Sequence, residues 1–249
     1  MTINLNFYKC YYKSILVFTL LFNINCFSQA KKSKVFVYTR TCGYVHESIP
    51  KGLSVISELG EKYNFSVDSS DDGRVFDSKI LFDFDAVVFL STTLNVLNSK
   101  QQKNLVKFIR SGKGFVGIHA AADTEYDWEW YGKLVGAYFI SHPEGQPMAC
   151  IKKLDGNSFF TDHINGDWKI KDEWYNYQFV NPNIIPLLNL DENSYKGGIN
   201  GKNHPIAWFH EFQGGRSFYT GLGHLEETFD DKRFQMLILK GLIYAIDGF

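Results

Sequence analysis

The sequence predicts an α/β protein in three layers, with helices on both faces of a parallel sheet and an antiparallel C-terminal extension. From residue 34 onward, short β-branched or aromatic runs alternate with amphipathic stretches, which is typical of β-α-β units. The segment 85–90 contains a continuous apolar run, as expected for a strand that is covered on both faces. After Pro143 the pattern changes to short strands and turns, which predicts the antiparallel extension.

The first half of the chain supplies the predicted parallel strands and two long helices. The strands are predicted at 34–38, 65–68, 85–90 and 114–118. Ser48 is predicted to cap a helix that runs to about Lys62, with apolar residues at core spacing. Ser99 and Gln102 have the spacing of a capping box, which predicts a second helix that Gly112 ends.

The second half of the chain is predicted to contain short strands and one closing helix. The strands are predicted at 148–154, 168–174, 184–190, 206–212 and 216–221. The helix is predicted over 231–246, where apolar residues recur at helical spacing. Because no repeat, low-complexity tract or linker divides residues 31–249, we expect them to form a single domain.

The first thirty residues have the pattern of a secretory signal peptide. Lys9 and Lys13 precede an apolar stretch that is too short to span a bilayer and that ends near the small residues Ser28 and Ala30. We expect cleavage near Ala30 and a periplasmic or secreted protein with no membrane span. Lipoprotein processing at Cys26 is an alternative, which the residues before that cysteine match poorly.

Composition excludes several classes of protein. Of 249 residues, 45% are hydrophobic and only 6 are proline, so the chain can bury a sizeable core and is not disordered or fibrous. The chain has 26 basic and 27 acidic residues, and the basic residues form no cluster along the sequence, so we expect no nucleic-acid partner. No Gly-x-Gly-x-x-Gly motif follows the first strand, so we expect no nucleotide cofactor.

Two cysteines, Cys42 and Cys150, would remain after cleavage of the signal peptide. In an oxidising compartment they could form one disulfide. The alternative is two unpaired side chains, and the sequence does not decide between them, because it does not give the distance between their Cα atoms.

Four of the seven histidines lie where predicted strands end. They are His46 after the first strand, His119 at the end of the fourth, His142 in a Ser-His-Pro turn and His224 after the last strand. Ligands of open parallel sheets bind outside the carboxyl ends of the strands, so we expect these histidines to converge on one pocket. The alternative is that each is a hydrogen-bonded loop histidine. If they converge with a carboxylate, they could bind Zn²⁺ or a similar divalent ion.

The residues around His119 favour a carbohydrate site. Small residues follow it, which is the pattern of a nucleophile elbow with histidine at the tip. Carboxylates and large aromatic rings come next, and such side chains accept hydrogen bonds from sugar hydroxyls and stack on sugar C–H groups. Asp123, four residues beyond His119, is predicted to orient it. The acids at 125, 127 and 129 are predicted to be solvated or capping residues.

A second acidic and aromatic segment lies at 172–175. If it continues the strand predicted at 168–174, Glu173 and Tyr175 share one face, while Asp172 and Trp174 share the other. We expect Glu173 and Tyr175 to face the pocket. The alternative for this segment is packing at the edge of the sheet.

These residues predict acid–base chemistry on a sugar. His119 and His224 are predicted to exchange protons, while Glu173 or Asp123 orients them. The substrate is predicted to contact Arg40, His46, His142, Trp128 and Tyr175.

Six blocks of sequence, in order, resemble the ThuA-like (trehalose utilisation) family over roughly residues 34–247. The blocks lie at 43–50, 114–124, 130–143, 172–175, 204–208 and 215–224. The resemblance implies the flavodoxin-like fold of the class I glutamine amidotransferase-like superfamily, and a role in using disaccharides or their oxidised derivatives. In the amidotransferases the elbow holds a cysteine and a later strand ends in His-x-Glu. This chain has His119 at the elbow and keeps that spacing at His224 and Glu226, so glutamine hydrolysis through a thioester is not expected.

We therefore expect an exported carbohydrate-processing enzyme, a hydrolase or lyase acting on a disaccharide, glycoside or keto-sugar derivative. Its partner would be a small-molecule carbohydrate, and its oligomeric state stays open. The alternative is a non-catalytic sugar-binding or accessory protein that uses the same pocket. Amidotransferase-type hydrolysis would need Cys42 or Cys150 as the nucleophile.

Overall fold

The structure, a computed structural model, describes residues 32–156 and 158–248. The predicted signal peptide and its cleavage site near Ala30 lie outside the described residues. Within them, no helix combines the length and the apolar character that crossing a bilayer requires.

Strands and helices alternate in the first half of the described chain. The elements are β1 Ser33–Tyr38, α1 Ile49–Tyr63, β2 Phe65–Ser70, α2 Arg74–Asp77, β3 Ala86–Leu90, α3 Ser99–Arg110, β4 Gly114–Ile118 and α4 Glu129–Val135. Short strands dominate the second half until a final helix. The elements of this half are β5 Ala137–Ser141, β6 Met148–Lys153, α5 Ser158–Thr161, β7 Trp168–Lys171, β8 Asn176–Phe179, β9 Ile185–Asp191, β10 Pro205–Phe212, β11 Gly215–Thr220 and α6 Lys232–Asp247.

Nine of the strands form one sheet in the order β2-β1-β3-β4-β11-β10-β9-β6-β7. The first five strands in this order are parallel, and the other four pair antiparallel. The predicted α/β fold with an antiparallel extension is therefore confirmed. One strand differs, because β11 pairs parallel with β4 and belongs to the parallel part. The turn at Gln213 and Gly214 reverses the chain after β10, which gives β11 the direction of β4.

Helices cover both faces of the sheet because successive residues of a buried strand point to opposite sides. On one side of β4, the Cβ position of Gly114 lies 2.6 Å from the Cβ atom of Ala245 in α6, so only glycine allows this close approach. On the other side, the ring of Phe115 lies 5.9 Å from that of Tyr131 in α4. β3 is buried along its whole length, as its apolar run predicted, and so is β4.

Two predicted helix caps differ from the structure. The capping box of α3 consists of Asn98 and Gln101, each accepting a hydrogen bond from the backbone N–H of the other, and not of Ser99 and Gln102. Ser48 precedes α1 but its side chain does not cap the helix. Its hydroxyl donates a hydrogen bond of 2.7 Å to the carbonyl oxygen of Gly223, in the loop after β11.

The region around residues 137–179 also differs from the prediction. The strand predicted at 168–174 ends at Lys171, and the segment 172–175 is irregular although its four side chains are buried. Two strands that the sequence analysis did not predict, β5 and β8, pair antiparallel outside the main sheet. Cys42 is exposed and Cys150 is buried, and both are free thiols, so they form no disulfide.

Candidate functional site

Three parallel strands bring their carboxyl ends to one edge of the sheet, and each is followed by a histidine that points to a common centre. His46 follows β1, His119 follows β4 and His224 follows β11. Glu173 joins them from the segment between β7 and β8. One candidate ligand atom from each of these four residues lies within 4.8 Å of the others. We call these residues the His/Glu cluster.

The elbow predicted at His119 is present. The chain leaves β4 at Ile118, and His119 adopts a φ of +50°, a left-handed conformation that non-glycine residues seldom take. Three fully buried alanines follow it in a tight 3₁₀ turn. The hydroxyl of Tyr219 donates a 2.7 Å hydrogen bond to the carbonyl oxygen of His119. The turn thus fixes the imidazole at the end of β4.

The hydrogen bond of the His119 ring determines which nitrogen faces the cluster. Nδ1 lies 2.9 Å from the carbonyl oxygen of Gly221, which can only accept, so Nδ1 carries the hydrogen. In the neutral ring, Nε2 then presents its lone pair. Nε2 lies 3.5 Å from Oε2 of Glu173. A histidine that donates its second N–H to a carbonyl is the usual arrangement of a metal ligand.

Each histidine of the cluster has one buried ring nitrogen without a hydrogen-bond partner. These atoms are Nδ1 of His46, Nε2 of His119 and Nδ1 of His224. The last of them lies 3.3 Å from Oε2 of Glu173. Burying a polar atom without a partner costs free energy, and such atoms are rare in folded proteins. Three of them around one carboxylate indicate a site for a ligand that accepts lone pairs.

The cluster changes the pKa values of its members. Burial and the neighbouring imidazoles of His119 and His224 lower the pKa of His46 to about 2. Burial alone would raise the pKa of Glu173, but its contacts with the two histidines outweigh burial and hold that pKa well below its usual range. Burial would lower the pKa of His224, but the contact with Glu173 outweighs it and raises that pKa. His46 is therefore neutral and Glu173 ionised near neutral pH.

A cavity of about 320 Å³ opens onto the cluster. Its lining mixes aromatic faces with polar side chains, as in sites for small polar ligands. The lining residues are Tyr44, His46, Asp123, Phe139, His142, Gln146, Glu173, Tyr175 and His224. The Tyr175 ring lies against His119, with ring centroids 4.5 Å apart. His142 lies at the opening with its side chain 42% exposed, and its Nδ1 is 3.4 Å from Oε1 of Glu173.

Seven of the predicted site residues meet in this region, and two do not. His119 is part of the cluster, and the other six line the cavity: His46, Asp123, His142, Glu173, Tyr175 and His224. Arg40 is exposed and lines a neighbouring surface cavity of about 750 Å³, which shares His46 with the cavity at the cluster but does not include the other cluster residues. Trp128 stacks on Trp130, with ring centroids 4.9 Å apart, and does not line the cavity at the cluster. Their predicted contacts with the substrate are therefore not supported by their positions.

The carboxylates near the elbow have other partners than predicted. Asp123 does not orient His119, whose Nδ1 bonds to the Gly221 carbonyl instead. The carboxylate of Asp123 accepts a 2.5 Å hydrogen bond from the hydroxyl of Tyr126, and burial raises its pKa. Glu125 is buried and not solvated. Its carboxylate accepts hydrogen bonds from the N–H groups of residues 96 and 97, which precede α3. Glu226, two residues beyond His224, is exposed.

Three residues that line the cavity were not predicted. Tyr44 is 61% exposed, and its ring lies 4.8 Å from that of His46, where it borders the opening. Tyr44 stands in the first block of the family resemblance, so a signal was present. Nε2 of Gln146 lies 3.4 Å from Nε2 of His224. Phe139 lies in β5, a strand that the sequence analysis did not predict, although the block 130–143 of the family resemblance contains it. Gln146 lies in the loop between β5 and β6.

Comparison with known proteins agrees with the fold and identifies the family. The chain is similar to a ThuA-like protein from Bacteroides uniformis, at 20% identity and a TM-score of 0.73, covering 88% of this chain and 93% of that one. A ThuA-like protein from Parabacteroides merdae gives 18% identity, a TM-score of 0.72, and coverage of 88% and 91%. Part of a β-galactosidase from Rahnella sp. R3 gives 10% identity and a TM-score of 0.58, covering 85% of this chain and 31% of that one.

No curated protein sequence matches the chain. At these identities the solved structures show the fold alone, which is of the glutamine amidotransferase-like type. The family model ThuA, described as trehalose utilisation, matches residues 34–245, nearly all of the described chain. The chain therefore belongs to the ThuA family.

Proposed function

We propose that this chain is an exported, metal-dependent enzyme that acts on a disaccharide, glycoside or keto-sugar derivative as a hydrolase or lyase. The observation that carries the proposal is the His/Glu cluster, in which three buried ring nitrogens without partners surround one carboxylate beside a cavity. The trehalose-utilisation description of the family supports a sugar as the substrate.

The spacing of the cluster suits a divalent ion such as Zn²⁺. A tetrahedral shell with bonds of about 2.0–2.1 Å places neighbouring ligand atoms roughly 3.3–3.4 Å apart. Oε2 of Glu173 lies 3.3 Å from Nδ1 of His224 and 3.5 Å from Nε2 of His119. Imidazole and carboxylate are ligands that zinc and related transition metals accept. The ligand atom of His46, the third histidine, lies within 4.8 Å of the others, so binding would draw it closer to complete the set.

The charge of the region also favours a cation. Asp172 and Glu173 are both buried, and within residues 32–156 and 158–248 neither forms an ion pair with a lysine or arginine. The described ion-pair partners of Glu173 are the histidines His119, His142 and His224. Buried charges are normally paired or bound to metals. A divalent ion at the cluster would neutralise the buried charge of Glu173.

The residues of the site then divide into two groups. The His/Glu cluster holds the ion, which when bound supplies a Lewis acid for a sugar oxygen. Asp123 and His142 line the cavity outside the cluster, and they accept or donate protons at the sugar hydroxyls. The rings of Tyr44, Phe139 and Tyr175 provide faces for stacking on the sugar. The sequence analysis predicted that His119 and His224 exchange protons. In this proposal those two histidines bind the ion, and Asp123 and His142 exchange protons with the substrate instead.

Metal analysis of the purified protein tests the proposal. We expect about one divalent ion per chain after incubation with Zn²⁺ or Mn²⁺, and a rise in melting temperature that a chelator reverses. Incubation of the metal-loaded protein with disaccharides and their oxidised derivatives should then yield product. A protein that binds no ion would contradict metal dependence. Bound ion and bound sugar without product would favour the sugar-binding alternative.

The proposed export has its own test. Expression of the full chain in a Gram-negative host should give a processed protein in the periplasm or medium, with an N-terminus near residue 31. An unprocessed chain in the cytoplasmic fraction would contradict it.

A further inference from the structure

We propose that Asp172 is the positioning residue that assembles the His/Glu cluster, an inference that rests on the metal site of the proposed function. The Asp172 side chain is fully buried and does not itself join the cluster. Its carboxylate accepts three backbone N–H groups from two separate loops. Oδ1 accepts from Glu173 at 2.9 Å and from His224 at 3.0 Å, and Oδ2 accepts from Gly223 at 2.8 Å.

These three hydrogen bonds fix the backbone of two cluster residues that no strand fixes. Glu173 and His224 lie in irregular segments, so their N–H groups have no ladder partner and need another acceptor. One carboxylate supplies both, and thereby sets the position of Glu173 relative to His224.

The loop after β11 is held from its other side as well. Gly223 has a φ of +120°, and a Cβ atom there would lie 3.2 Å from Cγ2 of Ile118. The N–H of Gly223 donates to Asp172, while its carbonyl oxygen accepts from the hydroxyl of Ser48. The turn that carries His224 is therefore fixed at both backbone polar groups of Gly223. Asp172 accepts two of the three hydrogen bonds that the structure gives to the backbone of Gly223 and His224.

Glu125 provides a matched control for a change at Asp172. It is also buried, and Oε1 accepts the N–H groups of Val96 and Leu97 while Oε2 accepts from the amide of Gln102. The number and kind of hydrogen bonds are similar, but the segments that Glu125 joins carry no member of the cluster. We therefore expect Glu125→Gln to lower the folding stability by a similar amount and to leave the geometry of the cluster unchanged.

The test compares Asp172→Asn with Glu125→Gln in the purified protein. In Asp172→Asn an amide group replaces one acceptor oxygen and faces an N–H donor. We expect its affinity for Zn²⁺, measured by competition with a chromophoric chelator, to fall by about 10–100-fold. We also expect its Co²⁺ absorption spectrum to change, because the ligands move. Glu125→Gln should keep the wild-type spectrum and an affinity within about threefold of the wild type.

Three outcomes decide the proposal. Wild-type affinity and spectrum in Asp172→Asn, or an equal loss in Glu125→Gln, would overturn the role of Asp172 while leaving the metal site intact. A wild-type protein that binds neither Zn²⁺ nor Co²⁺ would overturn both the metal site and the role of Asp172. If Asp172→Asn does not fold, Asp172→Glu replaces it, since the longer side chain keeps the carboxylate but displaces its oxygens from the N–H groups of Glu173, Gly223 and His224. We then expect a several-fold weaker affinity, and an unchanged affinity would overturn the proposal.

Discussion

Two groups of histidine and glutamate side chains are buried in this protein, and they differ in how their ring nitrogens are used. In the His/Glu cluster, each histidine has a buried nitrogen without a partner. In the second group, Nδ1 of His204 lies 2.8 Å from Oε1 of Glu192, and Nε2 lies 2.8 Å from the carbonyl oxygen of Tyr175. The residue types are the same in both groups, although Glu192 is less buried than Glu173. His163 and His210 also have a buried ring nitrogen without a partner, so a candidate ligand is marked by such a nitrogen together with a neighbouring carboxylate and other histidines.

The His204 group supports the site without belonging to it. By binding the carbonyl oxygen of Tyr175, His204 holds the segment 172–175 at the end opposite Asp172. The ring of Tyr175 in turn packs against His119. Burial lowers the pKa of His204, and its two hydrogen bonds oppose that shift. We therefore expect changes in the two groups to affect different properties: metal binding in the cluster, and folding stability at His204.

The largest effect on metal binding is expected for His119→Asn. Asparagine tolerates the left-handed backbone at this position, and its amide nitrogen can replace Nδ1 as the donor to Gly221. It lacks a counterpart of Nε2, so the bound ion should fall from about one per chain to near zero. The affinity should fall by more than the roughly 10–100-fold expected for an outer-shell change. Retention of stoichiometric metal by the folded variant would exclude His119 as a ligand.

A change at His204 should lower the folding stability and leave metal binding intact. His204→Ala leaves the Tyr175 carbonyl without its donor and removes the buried partner of Glu192, so the free energy of unfolding should fall by about 3 kcal/mol. Urea unfolding of the metal-free protein measures this loss. The folded fraction should still bind about one ion per chain. Loss of the ion at wild-type stability would mean that the two groups are not functionally separate.

The contrast between the two groups also shows what the sequence could predict. Parallel strands place their carboxyl ends at one edge, so His46 and His119 could be placed together from the strand pattern alone. His224 joins them because β11 is parallel to β4, whereas this strand was predicted in the antiparallel extension. The ring nitrogens could not be assigned, because the carbonyl of Gly221 and that of Tyr175 reach their histidines only through tertiary folding.

The antiparallel region was predicted less well for the same reason. The segment 172–175 has an alternating pattern that suits a strand, but hydrogen bonds from the loop after β11 hold it in an irregular course. Glu173 and Tyr175 nevertheless line one cavity, as the alternation indicated. Trp128 was misplaced because a tryptophan near an elbow has no periodicity that separates a cavity wall from stacking on Trp130.

The pH dependence of metal affinity should separate the groups further. The contact with Glu173 raises the pKa of His224, so this pair stabilises the metal-free protein at acidic pH and loses that contribution as pH rises through the raised pKa. A metal needs the unprotonated ring, so affinity should rise with pH through the same range, by up to about tenfold per pH unit for one displaced proton. With a pKa of about 2, His46 should add no second proton.

Zinc titrations at several pH values between about 5.5 and 8.5 measure this slope. His204→Ala should keep the wild-type slope, because His204 is no ligand. A pH-independent affinity in the wild type would mean that no histidine gives up a proton on binding, which would remove His224 from the ligand set.

The smallest effects are expected at the two aromatic residues on which the sequence and the structure disagree. Trp128 was predicted to contact the sugar but stacks on Trp130, whereas Tyr44 was not predicted and borders the cavity. Trp128→Phe should leave metal affinity and any sugar-dependent thermal shift within about twofold of the wild type.

Tyr44→Ala changes an exposed side chain, so it should alter stability by less than about 0.5 kcal/mol. It should nevertheless reduce the sugar-dependent shift, because the ring offers its face to the ligand. A reduced sugar-dependent shift in Trp128→Phe together with an unchanged shift in Tyr44→Ala would place the sugar near α4 and away from the cluster. The sugar site and the metal site would then be separate.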